Sequence, residues 1–329
     1  MSLMEQETRE APAAVARLLD RELPAFRALG KRLAGLAPPV LVTCARGSSD
    51  HAAMFLKYML EITAGLPVAS MGPSIASVYG TAPRLAGAAV VSISQSGRSP
   101  DLIAFQAAAR RAGALTIAVV NTEDSPVAQE ADVTIPLHAG PELSVAATKS
   151  FIASAAAAAA LVACWTADEA LLTAVRNLPE TLDRALSSDW SAPEQALAAA
   201  PSCYMLGRGT SLAMACEAAL KGKEVAARHA EAFSLAEVMH GPLRLVENGF
   251  PILAFTANDA AAAENRIALT RLTEAGGHVF APDAPTTGHP LLDPLAMMPP
   301  FYLMAERLAH RLGFDPDKPS NLKKVTQTR

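Results

Sequence analysis

The chain repeats itself internally, and this repeat restricts its possible folds more than any other feature of the sequence. The segment TCARGSS, which contains Arg46, matches MLGRGTS, which contains Arg208, at a separation of 162 positions. The same separation aligns two further strand-like segments, VVSIS and TIAVVN, with ILAFT and HVFAPD. A single separation that serves three predicted strands indicates duplication of a whole folding unit.

The first half of the chain alternates short β-branched apolar runs with longer helical stretches, such as PPVLVTCARG followed by HAAMFLKYMLEITAG. This order is typical of βαβ units around a parallel sheet. The 329 residues are enough for two domains of about 150 residues each. We therefore predict an α/β fold with two doubly wound parallel sheets, each flanked by helices. The predicted parts are a helical lead-in (1–36), a first domain (37–168), a helical linker (169–200), a second domain (201–312) and a carboxy-terminal tail (313–329).

The balance of charge favours small-molecule chemistry over nucleic-acid or membrane partners. Charged residues make up 18% of the chain and the formal net charge is −4, so there is no basic surplus for phosphate backbones or anionic lipid. The amino terminus, MSLMEQETRE, is polar and acidic and lacks the basic start and apolar stretch of a signal peptide. These features predict a cytoplasmic protein without nucleic-acid or membrane partners.

One apolar run and the cysteines also bear on the class of protein. The run FIASAAAAAALVACWTA (151–167) approaches the length of a membrane span, which takes about 20 apolar residues. Its alanines are only weakly apolar and it lies between Lys149 and Asp168, so we predict a packed internal helix.

The cysteines form no CxxC pair and have no histidine at metal-ligand spacing. We predict buried thiols in a reducing compartment at Cys44, Cys164, Cys203 and Cys216.

The segment SISQSGRSPD has the features of an anion-binding loop. It follows an apolar strand, and ligands of open α/β sheets bind beyond the carboxyl ends of strands, where helix N-termini attract anions. Ser99-Pro100-Asp101 resembles a helix N-cap with proline in the first turn, and Gly97 lets the backbone approach a ligand. The hydroxyls and the charge of Arg98 suit a phosphate. The alternative is a serine-rich turn that only caps a helix.

A second loop, Arg46-Gly47-Ser48-Ser49, also follows a strand and opens a helix. Its position gives it the same physical reason to bind an anion. The second half of the chain keeps a similar loop, Arg208-Gly209-Thr210-Ser211, which shows that a turn of this kind can be purely structural. Both interpretations of the first loop therefore stay open.

The densest group of titratable residues lies in EAALKGKEVAARHAEAFSLAEVMHGP (217–242). Glu217, Lys221 and Glu224 are spaced i, i+4 and i+7, which places them on one helix face. A solvated charged stripe is the ordinary interpretation, but small residues flank this face, as close packing requires. His229 and His240 are eleven positions apart with Glu231 and Glu237 between them, so general acid–base chemistry fits better than a metal site. We predict no metal and no cofactor.

These residues resemble those of a known family, the double sugar-isomerase (SIS) domain proteins, familiar from the isomerase half of glucosamine-6-phosphate synthase. The resemblance covers nearly the whole chain and rests on RGSSDHA, SISQSGRSPD, AGPELSVAATKSF, the segment 217–242 and the tail DKPSNLKKVT. It implies tandem SIS domains, each a flavodoxin-like three-layer sandwich, and a sugar phosphate as ligand. The resemblance assigns the phosphate to Ser48, Ser49, Ser94, Gln95, Ser96 and Ser99, and places Val145 and Ala147 along the sugar.

The same resemblance implies catalytic roles. In the family, the glutamate that matches Glu224 moves a proton between C1 and C2, and the residues that match Glu217 and Lys221 support it. The histidine that matches His240 comes from the neighbouring subunit and helps to open the sugar ring, which implies a homodimer. The tail lysine that reaches the carbonyl carbon matches Lys324.

The sequence departs from the family pattern in several places. It lacks an amino-terminal cysteine and a glutaminase half, so we do not expect glutamine to supply nitrogen. Ala147 stands where the synthase has a serine, and Ser320 stands where it has an arginine before the tail lysine. The register of the tail also leaves Lys323 as an alternative to Lys324.

The resemblance, with its closing motif DKPSNLKKVTQT, predicts a stand-alone deaminase that converts glucosamine 6-phosphate to fructose 6-phosphate and ammonia. Two enzymatic alternatives use similar groups: a deglycase acting on fructosamine 6-phosphates, and an isomerase for another amino sugar such as galactosamine 6-phosphate. A sugar-phosphate sensor without catalysis is the alternative of another class. A transcriptional sensor would carry a helix-turn-helix segment ahead of the domain, whereas the lead-in here is short and acidic.

Overall fold

The computed structural model describes residues 1–324 and contains two parallel sheets flanked by helices, which confirms the predicted fold class. The strands are β1 (Leu41–Cys44), β2 (Val68–Ser70), β3 (Ala89–Ser94), β4 (Leu115–Val120), β5 (Val133–Pro136), β6 (Ser202–Gly207), β7 (His229–Ser234), β8 (Phe250–Ala254) and β9 (Gly277–Phe280). The helices are α1 (Leu3–Arg9), α2 (Ala11–Leu36), α3 (Ser48–Ala64), α4 (Ser74–Ser77), α5 (Pro100–Arg111), α6 (Pro126–Gln129), α7 (Lys149–Thr166), α8 (Glu169–Ala185), α9 (Ser191–Ala199), α10 (Thr210–Ala226), α11 (Ala262–Glu274) and α12 (Met298–Arg311). Short 3-10 turns span Glu237–Met239, Pro242–Leu245 and Asp293–Met297.

The described residues form two compact units that are not contiguous in sequence. The first-sheet unit consists of Ala11–Glu142, Lys149–Arg176 and residues 323–324, and it contains β1 to β5. The second-sheet unit consists of Met1–Glu10, Leu143–Thr148 and Asn177–Leu322, and it contains β6 to β9. The sequence boundaries at 37, 169 and 201 stay a prediction; each compact unit contains segments from both halves of the chain. Of the predicted tail, residues 325–329 lie outside the described residues.

The first-sheet unit has the strand order β2-β1-β3-β4-β5, and all of its strand pairs are parallel. From β1 the chain turns through α3 to β2, and from β3 it turns the other way through α5 to β4. Strand order therefore reverses between β1 and β3. A core of Val42, Val90, Leu102 and Phe105 packs between α5 and the sheet.

Helix α7 holds the alanine-rich run and is buried from Lys149 to Ala163. It is long and apolar enough to cross a membrane, but 83% of its 18 residues are buried inside the protein. Helix α2 crosses it closely, since a Cβ atom at Gly30 would lie 2.7 Å from the carbonyl carbon of Cys164. The prediction of a packed internal helix is confirmed.

The second-sheet unit has the parallel strand order β7-β6-β8-β9, so β7 and β9 are its edges. Helix α10 follows β6 and packs against β6, β7 and α12. A cluster that includes Tyr204, Leu206, Ile252 and Leu272 fills the core.

The cysteines match the prediction only in part. All four are free thiols, and Cys44 and Cys203 are buried. Burial raises the pKa of the Cys203 thiol to about 12. Cys164 and Cys216 are only half-buried, which corrects the prediction for these two.

Candidate functional site

In the first-sheet unit, the two serine loops lie at the point where strand order reverses. The loop at Arg46–Ser49 follows β1, and the loop from Gln95 to Ser99 follows β3, which is the neighbour of β1 in the sheet. In doubly wound sheets the helices leave in opposite directions at this point and open a crevice for ligands. The loops singled out from sequence therefore flank the position where this fold class binds small molecules.

The loop after β3 is held by its own serines. The backbone N–H of Gly97 donates to Oγ of Ser94 at 3.0 Å, and that of Arg98 donates to Oγ of Ser96 at 3.3 Å. Ser99 is the N-cap of α5, as predicted, but its hydroxyl makes no capping hydrogen bond. The half-buried side chains of Gln95, Ser96 and Ser99 therefore stand at the positive end of a helix dipole, where an anion is stabilised.

Gly97 is required at this turn for two reasons. Its φ of +61° lies in the left-handed region, and a Cβ atom there would lie 2.1 Å from Oγ of Ser125. The loop packs against the start of α6, where the Val127 N–H donates to the Gly97 carbonyl oxygen at 3.1 Å. Close packing fixes the shape of this loop.

Arg46 braces the two loops against each other. Its Nε and Nη2 atoms donate to Oδ2 of Asp101 at 3.0 and 2.8 Å, and the Asp101 carboxylate is fully buried in the first turn of α5. Gly47, with φ of +55°, is the N-cap of α3, and the half-buried Ser48 and Ser49 are its first residues. The ion pair with Asp101 gives Arg46 a structural role in holding the two loops together. Ser48 and Ser49 lie instead at the N-terminus of α3, where a helix attracts anions.

In the second-sheet unit, α10 carries the predicted charged face, and its residues are in contact. Lys221 Nζ lies 3.3 Å from Oε1 of Glu217 and 2.5 Å from Oε2 of Glu224. Tyr302 Oη on α12 donates to Oε1 of Glu217 at 3.1 Å. Glu217, Lys221 and Tyr302 are fully buried, while the Glu224 side chain is 22% exposed. A buried polar cluster thus holds one carboxylate at the surface.

The charge state of Lys221 follows from this arrangement. Burial by itself favours the neutral amine, but the carboxylates of Glu217 and Glu224 and their hydrogen bonds outweigh it and raise the pKa of Lys221. Lys221 is therefore an ammonium group at neutral pH. It acts as a donor that orients Glu224, and it cannot serve as a base itself.

The remaining titratable residues of the 217–242 segment do not join this cluster. Helix α10 ends at Ala226, and the chain continues into edge strand β7, where His229 and Glu231 are exposed. Glu237 and His240 are also exposed, and among the described residues the His240 ring makes no hydrogen bond or ion pair. Within residues 1–324, no group of three histidine, cysteine or carboxylate side chains is placed to hold a metal ion.

The tail lysine reaches a carboxylate that the sequence analysis missed. Lys324 Nζ lies 3.2 Å from Oε2 of Glu142, whose side chain is fully buried. Ser150 also donates to this carboxylate, through its N–H at 3.0 Å and its hydroxyl at 2.5 Å. Lys323 is exposed. In the second-sheet unit, Val145 and Ala147 are half-buried, and the Val145 N–H donates to the carbonyl oxygen of Asp317.

Comparison with known proteins gives one family and several relatives. A profile described as the SIS domain matches residues 40–164 and 196–281. Over 98% of its length, the chain is 36% identical to a glutamine–fructose-6-phosphate aminotransferase (isomerizing) from Aeropyrum pernix, of which it covers 56%. The chain thus spans little more than half the length of the curated relatives that it matches.

Solved structures also resemble nearly the whole chain, two of them as follows. A proposed phosphosugar isomerase from Silicibacter pomeroyi is 46% identical with a TM-score of 0.92, over 96% of this chain and 100% of that one. A glucosamine-6-phosphate deaminase from Thermotoga maritima has a TM-score of 0.82, over 99% of this chain and 100% of that one. Its identity is only 18%, so this second likeness shows the fold alone.

Proposed function

Because the chain belongs to the SIS domain family, we propose that it is a phosphosugar isomerase that deaminates glucosamine 6-phosphate to fructose 6-phosphate and ammonia. The observation that carries this proposal is the cluster on α10, where a buried Glu217–Lys221 pair orients the partly exposed Glu224. A carboxylate held in one orientation at the surface suits proton transfer between adjacent carbons. The similarity to an aminotransferase over nearly the whole chain supports the substrate class.

The proposed reaction moves one proton from C2 to C1 and another from the amine nitrogen to O1, and it adds one water. In the open-chain sugar, Glu224 takes the proton from C2 while the C1 carbonyl oxygen gains a proton from solvent, which gives an enolamine across C1 and C2. Returning the C2 proton to C1, with loss of one N–H proton to solvent, gives a hydroxymethyl group at C1 and a ketimine at C2. Water adds to the ketimine, ammonia leaves, and the ketone of fructose 6-phosphate remains. Hydrolysis runs in this direction when free ammonia is scarce.

Other residues receive proposed roles from their position. Gln95, Ser96 and Ser99, with Ser48 and Ser49, bind the phosphate, because both groups lie at helix N-termini beside the reversal of strand order. Ser94 supports this loop through its bond from Gly97. Val145 and Ala147 line the sugar.

Two further groups complete the proposal. We assign contact with the carbonyl carbon to Lys324 over Lys323, because a buried carboxylate fixes Lys324. His240 assists ring opening from the neighbouring subunit of a homodimer, which is consistent with its exposed ring. A cytoplasmic location accompanies the proposal.

The experiment is an assay of ammonia and fructose 6-phosphate released from glucosamine 6-phosphate by the full chain and by Glu224→Gln. Glu231→Gln is the matched control, because Glu231 is an exposed carboxylate of the same segment that does not contact the cluster. We expect turnover to fall by about 10²-fold to 10⁴-fold in Glu224→Gln, the usual contribution of a positioned acid–base group, and to be unchanged in Glu231→Gln.

Other results would replace the proposal by a named alternative. Turnover of galactosamine 6-phosphate alone would assign another amino sugar, and release of an amine from fructosamine 6-phosphates would assign a deglycase. Binding of sugar phosphates with no turnover of any of them would indicate a sensor. Equal loss in Glu224→Gln and Glu231→Gln would show that Glu224 is not the base.

A further inference from the structure

A cavity of about 730 Å³ lies in the second-sheet unit, at the carboxyl ends of β8 and β9. Its walls come from the residues that follow these strands, from the first turns of α11 and from residues 286–297. Its volume is in the range of small-molecule sites, about 300–1,000 Å³, and its position is the one where open α/β sheets bind ligands. None of the residues given a catalytic or phosphate-binding role above lines this cavity.

Asn265 supplies a buried, unpaired polar group, and such a group indicates a ligand site. The residue lies on α11, lines the cavity and is only 4% exposed. Its side-chain Oδ1 has no hydrogen-bond partner among the described residues. Buried amides are normally satisfied, because an unpaired polar atom loses its hydration without compensation. An amide offers both an acceptor and donors, which is what a hydroxyl group requires.

The other polar groups of the cavity are mixed in charge. Arg266 is exposed at the cavity wall and forms no ion pair within residues 1–324. Asp283 is also exposed there, and Asp293 accepts hydrogen bonds from the hydroxyls of Thr286 and Thr287. Leu269, Met297 and other apolar residues form the rest of the wall. Donors, acceptors and apolar patches in this mixture suit a polyhydroxylated ring.

The internal repeat argues against a phosphate in this cavity. The separation of 162 places Thr256 at the position of Ser94 and Asp259 at the position of Gly97. Oδ1 of Asp259 accepts from the Ala261 N–H at 2.9 Å, at the start of α11. Asp259 follows Asn258, which lines the cavity, so a carboxylate stands beside the cavity in a loop whose first-sheet counterpart, Gln95 to Ser99, has none. Repulsion from this carboxylate disfavours a dianion.

We propose that this cavity is a second ligand site, and that it binds an unphosphorylated sugar. Asn265 hydrogen bonds to one ring hydroxyl, Arg266 and Asp283 bind others from the cavity wall, and Leu269 and Met297 pack against the C–H face of the ring. The inference is independent of the reaction proposed above, because it uses other residues.

The experiment measures binding of D-glucose, D-glucosamine and N-acetylglucosamine to the full chain by titration calorimetry and ligand-observed NMR, at millimolar concentrations. The variants are Asn265→Leu and Arg266→Gln. The matched control is Arg271→Gln, an exposed arginine of the same helix that does not line the cavity. A fourth protein, Ser96→Ala with Ser99→Ala, disables the phosphate loop and separates the two sites.

We expect at least one of these sugars to bind, and the dissociation constant to rise about tenfold in Asn265→Leu and several-fold in Arg266→Gln, as expected for loss of one or two hydrogen bonds. Binding should be unchanged in Arg271→Gln and in the phosphate-loop variant. Because Arg266 is exposed, its variant tests the proposal even if Asn265→Leu fails to fold. The proposal is overturned if none of the three sugars binds, if Arg266→Gln binds as the wild type does, or if the phosphate-loop variant loses binding. One further result would overturn the proposal. If the phosphate-loop variant still binds glucosamine 6-phosphate, and loses that binding when Arg266→Gln is added, then the cavity holds a phosphosugar.

Discussion

Helices α3 and α10 occupy the same place in the two repeats but carry different chemistry. Each has 17 residues and follows the first strand of its sheet. The separation of 162 pairs Phe55 with Glu217 and Met59 with Lys221, and all four side chains are buried. The third pair, Ile62 and Glu224, reaches the surface in both helices. The buried face of this helix can therefore carry either apolar or ionised side chains in the same fold.

This difference bears on why α10 carries charges at these positions. A buried ion pair costs desolvation that apolar side chains avoid, and apolar replacements are often neutral or stabilising. Helix α3, with Phe55 and Met59, shows that this fold needs no charge at these positions. Stability therefore does not explain the charges of α10, which is consistent with the role proposed for Glu224.

The largest expected effect is a loss of stability when Lys221 is replaced by methionine, the residue at the matching position 59 of α3. Lys221→Met leaves the buried Glu217 carboxylate without its cation, so we expect a loss of about 3–5 kcal/mol in the free energy of unfolding. Adding Glu217→Leu should restore most of that stability while ammonia release stays abolished. Urea unfolding measures the stability and the ammonia assay measures the activity. A double variant as unstable as the single one would show that the fold requires charged groups at these positions of α10.

A second prediction concerns the loop that distinguishes the repeats after β3 and β8. Gly97→Ala should cost about 2–3 kcal/mol of stability and weaken phosphosugar binding, through left-handed strain and the overlap with Ser125. Gly80→Ala is the control, because Gly80 has a φ of +63° but no atom lies within 4 Å of the place that an added Cβ would take. Similar losses in both variants would show that strain, and not the contact with Ser125, fixes the loop.

A smaller effect should separate the two arginine turns. Arg46 is paired with the buried Asp101, whereas the side chain of Arg208 has no hydrogen bond or ion pair among residues 1–324. We expect Arg46→Gln to cost about 1–2 kcal/mol and Arg208→Gln less than about 0.5 kcal/mol, by thermal or urea unfolding. Equal losses would contradict a bracing role for Arg46.

The smallest prediction is a gain in stability at the end of α10. The C-cap of α3 is Gly65 with φ of +61°, and its counterpart after α10 is Ala227 with φ of +49°. A left-handed alanine is strained, so Ala227→Gly should raise the free energy of unfolding, measured in urea, by about 0.5–1 kcal/mol. Ala226→Gly, one position earlier in the helix, should lower it by a similar amount.

The sequence was sufficient for the fold class and for two groups of candidate residues. Strands buried on both faces appear as continuous apolar runs, and the repeat showed that there were two sets of them. Helical spacing placed Glu217, Lys221 and Glu224 on one face, and the structure brings them into contact. The N-cap role of Ser99 also followed from local sequence.

What the sequence did not show depends on contacts between distant residues. Glu142 lies in an irregular segment, and its partner Lys324 is 182 positions away, so no local pattern identifies it. The role of Arg46 depends on Asp101, 55 positions later. His229 and Glu231 looked close to the cluster because the end of α10 at Ala226 and the turn into β7 could not be read from spacing.

The two compact units are each built from separated segments of the chain, and this has a consequence for how the gene can be rearranged. Residues 1–10 and 143–148 belong to the second-sheet unit, although residues on both sides of 143–148 belong to the other. The N–H groups of Leu3 and Met4 donate to Asp317, which fixes these two residues within the second-sheet unit. A single break in the gene can separate the two repeats, but it cannot yield the two compact units, because each unit takes segments from both sides of any such break. A recombination event that moved one repeat alone would therefore leave both units incomplete.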